Sequence, residues 1–331
     1  MNLLLGNLMY IFNKYLFIIF IYFFNLNIIY ADPVVDKDWL KNKICKDNIK
    51  ILEVHRSKKD YEIAHIPCSI YTNFYSDGWR ETKDKIPLLM PSVSNLEKLI
   101  GSFGISSSDY VIIVAPGLGK YDAAEAAAIY FTFKYLGHKN ISLLDGGFKS
   151  WKEDWDNDTE TGFIMPKQKV YDSKVNTNIL ANKDDVLKVI NKTGYLIDAR
   201  SSAMYMGINS LFPALRPGTI PNAVNIPNDW MLKNNTLFFQ DKVNLEKILE
   251  HSGISKKDGQ ISFCNAGLES ALSWFVMSEI LEFPNNKLYE SSLAEWSKDM
   301  SLPMIDIINF SNNNKKSIGK DKESFSMKPE E

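Results

Sequence analysis

The sequence predicts an α/β protein of two similar domains, each a parallel sheet flanked by helices on both faces. Three observations carry this. Five features recur in the same order in the two halves of the chain. Short apolar runs of strand length punctuate both halves, as strands buried on both faces require. Amphipathic helical patterns lie between those runs, and alternating strands and helices imply parallel pairing.

The chain of 331 residues has room for two domains, at roughly 100–200 residues each. Residues 1–31 stand apart. They hold one charged residue, Lys14, then the run YLFIIFIYFFNLNIIYA. A basic residue, an apolar stretch and a small residue, Ala31, describe a signal peptide. Ile29 is larger than the cleavage pattern prefers, and an uncleaved membrane anchor is the alternative. Asn25 and Asn27 interrupt the run, which favours cleavage. Either way the body is expected outside the cytoplasm, in a periplasm if the source is a Gram-negative bacterium.

The first copy covers residues 34–155. It reads KILEV, HIPCSIY, GISSSDYVIIVAPG, an Ala-rich helix, then NISLLDGGFKSWKED. The second covers 180–304 and reads YLIDAR, TIPNAVNIP, GISKKDGQISFCNAG, a helix, then NKLYESSLAEWSKD. KILEV, VIIVA, NISLLD, YLIDA, QISF and NKLYE are the predicted strands. SNLEKLIGSFG and VNLEKILEHSG place apolar residues at helical spacing and end at glycine. Residues 156–179 are polar and irregular and read as a linker. Residues 305–331 have few large apolar residues and are expected to form a disordered tail.

Composition removes several classes. Formal net charge is −2 and no Lys/Arg stripe appears, so no nucleic-acid partner is expected. The body has three cysteines, Cys45, Cys68 and Cys264, and the chain has four histidines. No Cys-x-x-Cys is present, and neither a metal nor a cofactor is expected. An odd cysteine count in an exported protein leaves at least one thiol unpaired. Whether Cys45 and Cys68 pair is open; Cys68, within HIPCS, reads as a core residue.

Cys264 is the candidate nucleophile. It follows strand QISF at once, and a short loop then leads into a helix with Leu272, Phe275, Val276 and Ile280 on one face. Sites in parallel sheets lie at the carboxyl ends of strands. Free N–H groups and the helix dipole favour a thiolate there, so a lowered thiol pKa is expected. Gly267 lets the loop curl into an anion-binding nest. The first copy has Ala115 or Pro116 in the same place and offers no nucleophile. A small buried residue is the competing reading for Cys264.

With LIDAR (196–200), PGTIPNAVNIP (217–227), FCNAGLESA (263–271) and LYESSLAEW (288–296), the chain resembles the tandem-domain rhodaneses. HIPCS (65–69) and LGHKNISLLDGGFKSW (136–151) carry the resemblance in the first half. That group contains thiosulfate and mercaptopyruvate sulfurtransferases, with an inactive first domain and a catalytic second one. The resemblance implies that Cys264 carries sulfur as a persulfide, from a small-molecule donor such as thiosulfate to cyanide or a thiol. It implies a substrate loop of Asn265, Ala266, Gly267, Leu268, Glu269 and Ser270. Arg200 and Arg216 are the available cations for an anionic donor. Asp198 is read as structural support paired with Arg200. Trp296 reads as core.

The loop departs from both main subgroups. It lacks basic residues after the cysteine and also lacks glycine with serine. Glu269 brings a negative charge that should weaken binding of a dianion. Met204 stands where many members have a substrate-binding Arg, and Thr219 replaces the His of His-Ile-Pro. A cysteine phosphatase would need Arg at position 270, which is serine. A non-catalytic sulfur-carrier or binding module remains the rival reading. A thiol-disulfide oxidoreductase lacks a resolving cysteine near Cys264.

Overall fold

The computed structural model describes residues 31–308, apart from 192, 193 and 235. The segment expected to be a signal peptide thus lies, up to residue 30, outside the described residues.

The first half contains strands β1 (Val34–Val35), β2 (Ile49–Val54), β3 (Ile70–Thr72), β4 (Glu81–Lys83), β5 (Ile86–Leu89), β6 (Tyr110–Val114) and β7 (Ile141–Leu144). Five form a sheet of order β1-β7-β6-β2-β3, parallel throughout. The second half contains β8 (Tyr195–Asp198), β9 (Ala223–Asn225), β10 (Gln260–Phe263) and β11 (Asn286–Leu288), ordered β11-β10-β8-β9 and again parallel. The two orders superpose, β7-β6-β2-β3 on β11-β10-β8-β9. Even β1 has a counterpart, since Leu180 makes a single parallel bridge to Leu288. All six predicted strands are present.

Burial on both faces explains the unbroken apolar runs. Ile51, Ile112, Val114 and Leu144 pack with Leu40 and Trp151 on one side of the first sheet. Leu52, Val111, Ile113 and Leu143 face the other side. In the second sheet, Leu196, Ile261 and Phe263 pack with Val186, Leu293 and Trp296. Its opposite face, through Ile197 and Leu288, joins the same core as the first domain. That shared core is built where helix Lys120–Tyr135 lies against helix Leu268–Phe275. Tyr130 meets Phe275 edge-on at 4.7 Å, and Phe131 meets Trp274 at 4.8 Å.

The predicted linker has one short 3-10 turn, Thr177–Ile179, and otherwise runs against the first domain. Lys174 N–H donates to Leu136 O at 2.9 Å, and Lys169 N–H to Gly101 O at 3.0 Å. Gly137 permits this approach, because a Cβ there would lie 2.1 Å from Lys174 O.

Two expectations are corrected. Cys68 is exposed and bonded to Cys45, with Cα atoms 5.3 Å apart. The bridge ties the turn after helix Lys37–Lys41 to the turn before β3, so Cys68 is no core residue. Residue 305, expected to open a disordered tail, is also paired with the second domain. Ile305 N–H donates to Thr219 O at 2.8 Å and Thr219 N–H returns to Ile305 O at 2.9 Å. This closed backbone pair holds the segment to the second domain. Residues 309–331 lie outside the described residues.

Candidate active site

Four strand ends converge in the second domain: Asp198 ends β8, Asn225 ends β9, Cys264 follows β10 and Glu290 lies just past β11. The loop after β10 is gripped by the chain that follows β11. Cys264 N–H donates to Ser292 Oγ at 3.0 Å. Cys264 O accepts from Leu293 N–H at 3.1 Å, and Asn265 O accepts from Ala294 N–H at 2.8 Å. Gly267 then turns the loop at φ 80°, and a Cβ there would strike Glu290 O at 2.6 Å. Only glycine suits both conditions. Helix Leu268–Phe275 begins at the next residue.

The turn folds back over its own sulfur. Ser270 O–H donates to Cys264 Sγ at 3.4 Å. The backbone N–H groups of Ser270 and Ala266 also point at Sγ. Three donors from one loop converge on one atom, which is how a protein holds an anionic sulfur. The expected lowering of the thiol pKa is nevertheless overturned. Cys264 is 1% exposed. Burial pushes its thiol up, and the neighbouring charge of Glu269 pushes in the same direction. The three donors counter these effects without outweighing them.

The remaining loop residues are placed as follows. Asn265 Nδ2–H donates to Met204 Sδ at 3.5 Å. Leu268 packs against the core shared by the two domains. Glu269 is 8% exposed and makes no hydrogen bond or ion pair with a described residue. Burial pushes its carboxyl up to about 7; Lys120 and Arg200 pull it back, while Asp198 and Asp229 add to the rise.

The two arginines behave differently from expectation. Arg200 is buried and grips Asp198 with two bonds, Nε to Oδ1 at 2.9 Å and Nη2 to Oδ2 at 2.6 Å. Nη2 also donates to Gly218 O at 2.8 Å, and Nη1 reaches Asn265 Oδ1 at 3.5 Å. It therefore braces the loop from behind, with Asp198 as the expected support. Thr219 completes the group by donating to Asp198 Oδ2 at 2.7 Å. Arg216 is not brought to the loop's donors. Its Nε, Nη1 and Nη2 donate to the carbonyls of Ser297, Leu302, Trp296 and Asp299 at 2.9–3.0 Å. It clamps the segment 296–302, and four of its N–H groups are engaged by those carbonyls.

The first domain repeats the scaffold and closes it. Ala115 O accepts from Phe148 N–H at 2.8 Å and Pro116 O accepts from Lys149 N–H at 3.2 Å. These match the bonds of Cys264 and Asn265, so Ala115 takes the nucleophile's place. The loop N–H groups of Leu118 and Gly119 donate to Asp122 Oδ2 at 2.8 and 3.1 Å. A carboxylate of the same chain thus fills the nest that an anion would use.

Between the domains lies a cleft of about 670 Å³, with Gly117–Lys120 on one side and Asp229, Trp230 and Lys233 on the other. Lys120 Nζ stands 3.4 Å from Asp229 Oδ2 across it. Sequence reasoning passed over Lys120, Asp229 and Ser292. The first two meet only through the packing of the domains. Ser292 carried one signal, its place in a segment that repeats after the last strand of each half.

The profile of the Rhodanese-like domain matches residues 36–154 and 182–299. The chain belongs to the rhodanese family. It is a sulfurtransferase of that family, with two rhodanese domains. The sulfur carrier protein TtuD of Thermus thermophilus is 30% identical, covering 83% of this chain and 98% of that protein. A Mycobacterium bovis protein provisionally named thiosulfate sulfurtransferase 1 is 29% identical, with the same coverage of 83% and 98%. Among solved structures, the 3-mercaptopyruvate sulfurtransferase SseA of Escherichia coli matches with a TM-score of 0.70 at 22% identity, over 79% of this chain and 99% of its own. The anaerobic ergothioneine biosynthesis enzyme of Chlorobium limicola also has a TM-score of 0.70, at 18% identity over 82% and 70%. These two likenesses concern the fold.

Proposed function

We propose that the chain moves a sulfane sulfur from thiosulfate to cyanide or a thiol through a persulfide on Cys264. The observation that carries this is the convergence of the Ser270 hydroxyl and the Ala266 and Ser270 N–H groups on Sγ, at a strand end whose sister loop is filled by Asp122. In the first half-reaction the thiolate attacks the outer sulfur of the donor. The sulfur–sulfur bond breaks, and sulfite leaves with the electron pair. In the second, the acceptor attacks the outer sulfur of the persulfide and returns the thiolate, a ping-pong sequence. The three donors stabilise the negative charge that Sγ carries at both ends of the cycle. The names of the mycobacterial and Thermus relatives agree with this chemistry.

3-Mercaptopyruvate is the second donor to consider. It is favoured by the engagement of Arg200 and Arg216 with protein groups, which leaves neither as an open cation for a dianion. A non-catalytic sulfur-carrier or binding module is the third reading. Export, to a periplasm in a Gram-negative source, is part of the proposal. The Cys45–Cys68 disulfide supports it, because such bridges persist in oxidising compartments.

Intact-mass measurement identifies the donor and tells either sulfur-transfer reading from an inert binding module. With the true donor the protein gains the mass of one sulfur atom and loses it to cyanide or a thiol. Cys264→Ser gains none, whereas Cys68→Ser still does. A wild-type chain that stays unmodified with thiosulfate, 3-mercaptopyruvate and a persulfide donor would be an inert module.

A further inference from the structure

The charges around Cys264 are arranged in closed pairs with one exception. Arg200 is bound to Asp198, with Nη2 and Oδ2 2.6 Å apart. Lys120 faces Asp229 at 3.4 Å, and Lys233, also lining the cleft, faces Asp241 at 3.1 Å. Glu269 has no such partner among the described residues, although it is more than nine-tenths buried. It sits one residue into the helix that opens from the sulfur loop, and it is the charge that acts on Cys264. The groups that act on it are Lys120 from the first domain, Asp198 at the end of β8, Arg200 just beyond it, and Asp229 from the segment after β9. With Glu269 ionised, these five sum to one negative charge; with it protonated, to none. Lys120 and Asp229 also line the interdomain cleft, beside the exposed face of Trp230.

A buried carboxylate without a partner is costly, and a ligand that supplies one gains what the free protein lacks. We propose that Glu269 sets the substrate class of this site by selecting a small thiol that carries an ammonium group as sulfur acceptor. The ammonium pairs with the Glu269 carboxylate while the thiol reaches the persulfide. The cleft lined by Lys120 and Asp229, two of the groups acting on Glu269, has room for a small molecule beside them, and the face of Trp230 is compatible with a cation. Acceptors carrying a carboxylate or sulfonate meet repulsion at the same point, which is discrimination by a built-in unfavourable charge.

The step is redox-neutral. The acceptor's sulfur attacks the outer persulfide sulfur, and a new sulfur–sulfur bond forms. The bond from the outer sulfur to Sγ breaks, and its electron pair stays on Sγ. The proton lost by the acceptor thiol ends on Cys264. The acceptor leaves as a hydropersulfide.

This inference rests on the sulfur-transfer reading above, and the test separates the two. The full chain is loaded with sulfur on Cys264, checked by mass, and mixed with cysteamine or mercaptoacetate. Discharge rates are compared per thiolate, so that only the second charge of the thiol matters. The expected result is a preference for cysteamine of about tenfold or more in the wild type. In Glu269→Gln the ratio falls to roughly threefold or less, and in Glu269→Asp it is retained. A merely structural role would slow both acceptors together and leave the ratio alone. The wild-type chain gives a second readout without substitution. Its preference grows as pH rises through about 7, where the Glu269 carboxyl ionises. Equal rates in the wild type, or an unchanged ratio in Glu269→Gln, would overturn the proposal while leaving sulfur transfer intact. Failure of Cys264 to take sulfur from any donor would sink both.

Discussion

At the level of single residues, opposing influences meet at the Cys264 sulfur. Burial and Glu269 raise its pKa; Ser270 and Ala266 lower it. A hydrogen bond to a charged group is worth about 1.5–3 kcal/mol, so single donors matter here. Ser270→Ala removes the hydroxyl and keeps the N–H. Alkylation of Cys264 by iodoacetamide at neutral pH should then slow by about tenfold. Glu269→Gln should move the rate the other way. If Ser270→Ala reacts as fast as the wild type, the hydroxyl does not stabilise the thiolate. Cys264 itself was legible in the sequence because a strand, a cysteine, a glycine loop and a helix are consecutive. The depth of its burial was not, because the groups that cover it come from elsewhere in the chain. Arg216 shows the same limit. Its partners are four backbone carbonyls about eighty positions away, and a carbonyl leaves no mark in the sequence.

At the scale of the element, the six strands were readable because each is buried on both faces and so needs an unbroken apolar run. The antiparallel pair of β4 and β5 was not. Its residues are half-buried or exposed, and its sequence ETKDKIPLL has no alternating pattern. The loop after β10 is the element on which function turns, and its shape depends on Gly267. Gly253, which ends helix Lys242–His251, makes a useful comparison. Both have positive φ, 80° and 75°, but a Cβ at Gly253 meets nothing within 4 Å, while one at Gly267 meets Glu290 O at 2.6 Å. Gly253→Ala should therefore cost only the left-handed backbone, about 1 kcal/mol by urea unfolding. Gly267→Ala should cost about 2–4 kcal/mol, since backbone must also shift, and should abolish sulfur loading of Cys264. Equal costs would mean that the loop yields easily and does not hold the sulfur site rigidly.

Across the whole molecule, the two domains are joined by an apolar core and by a buried contact between an arginine and a carboxyl group. The hairpin of β4 and β5 sends Arg80 toward the second domain, where its Nε lies 3.8 Å from Glu290 Oε1. Met90 N–H donates to the same oxygen at 2.9 Å. Burial nonetheless pushes the Glu290 carboxyl up to about 7, against the pull of Arg80. In an unfolded chain that carboxyl would titrate at about 4.3. Between those values the folded protein holds a proton that the unfolded chain has lost. Glu290 therefore contributes stability that is fully present below the unfolded value and fades as pH rises to about 7. The magnitude is about 4 kcal/mol over the whole interval, of which roughly 3 kcal/mol falls between pH values of about 5 and 8. Glu269 acts with the same sign. His138 opposes both, because burial holds it down at about 4 and its contribution grows as pH rises. The comparison must therefore be a difference. Glu290→Gln keeps an acceptor for Met90 N–H and does not titrate. Urea unfolding at pH values of about 5 and 8 should show the wild type losing roughly 3 kcal/mol more than the variant. Parallel losses would mean that Arg80 keeps Glu290 ionised throughout, and that the domains are joined by a charged pair at every pH.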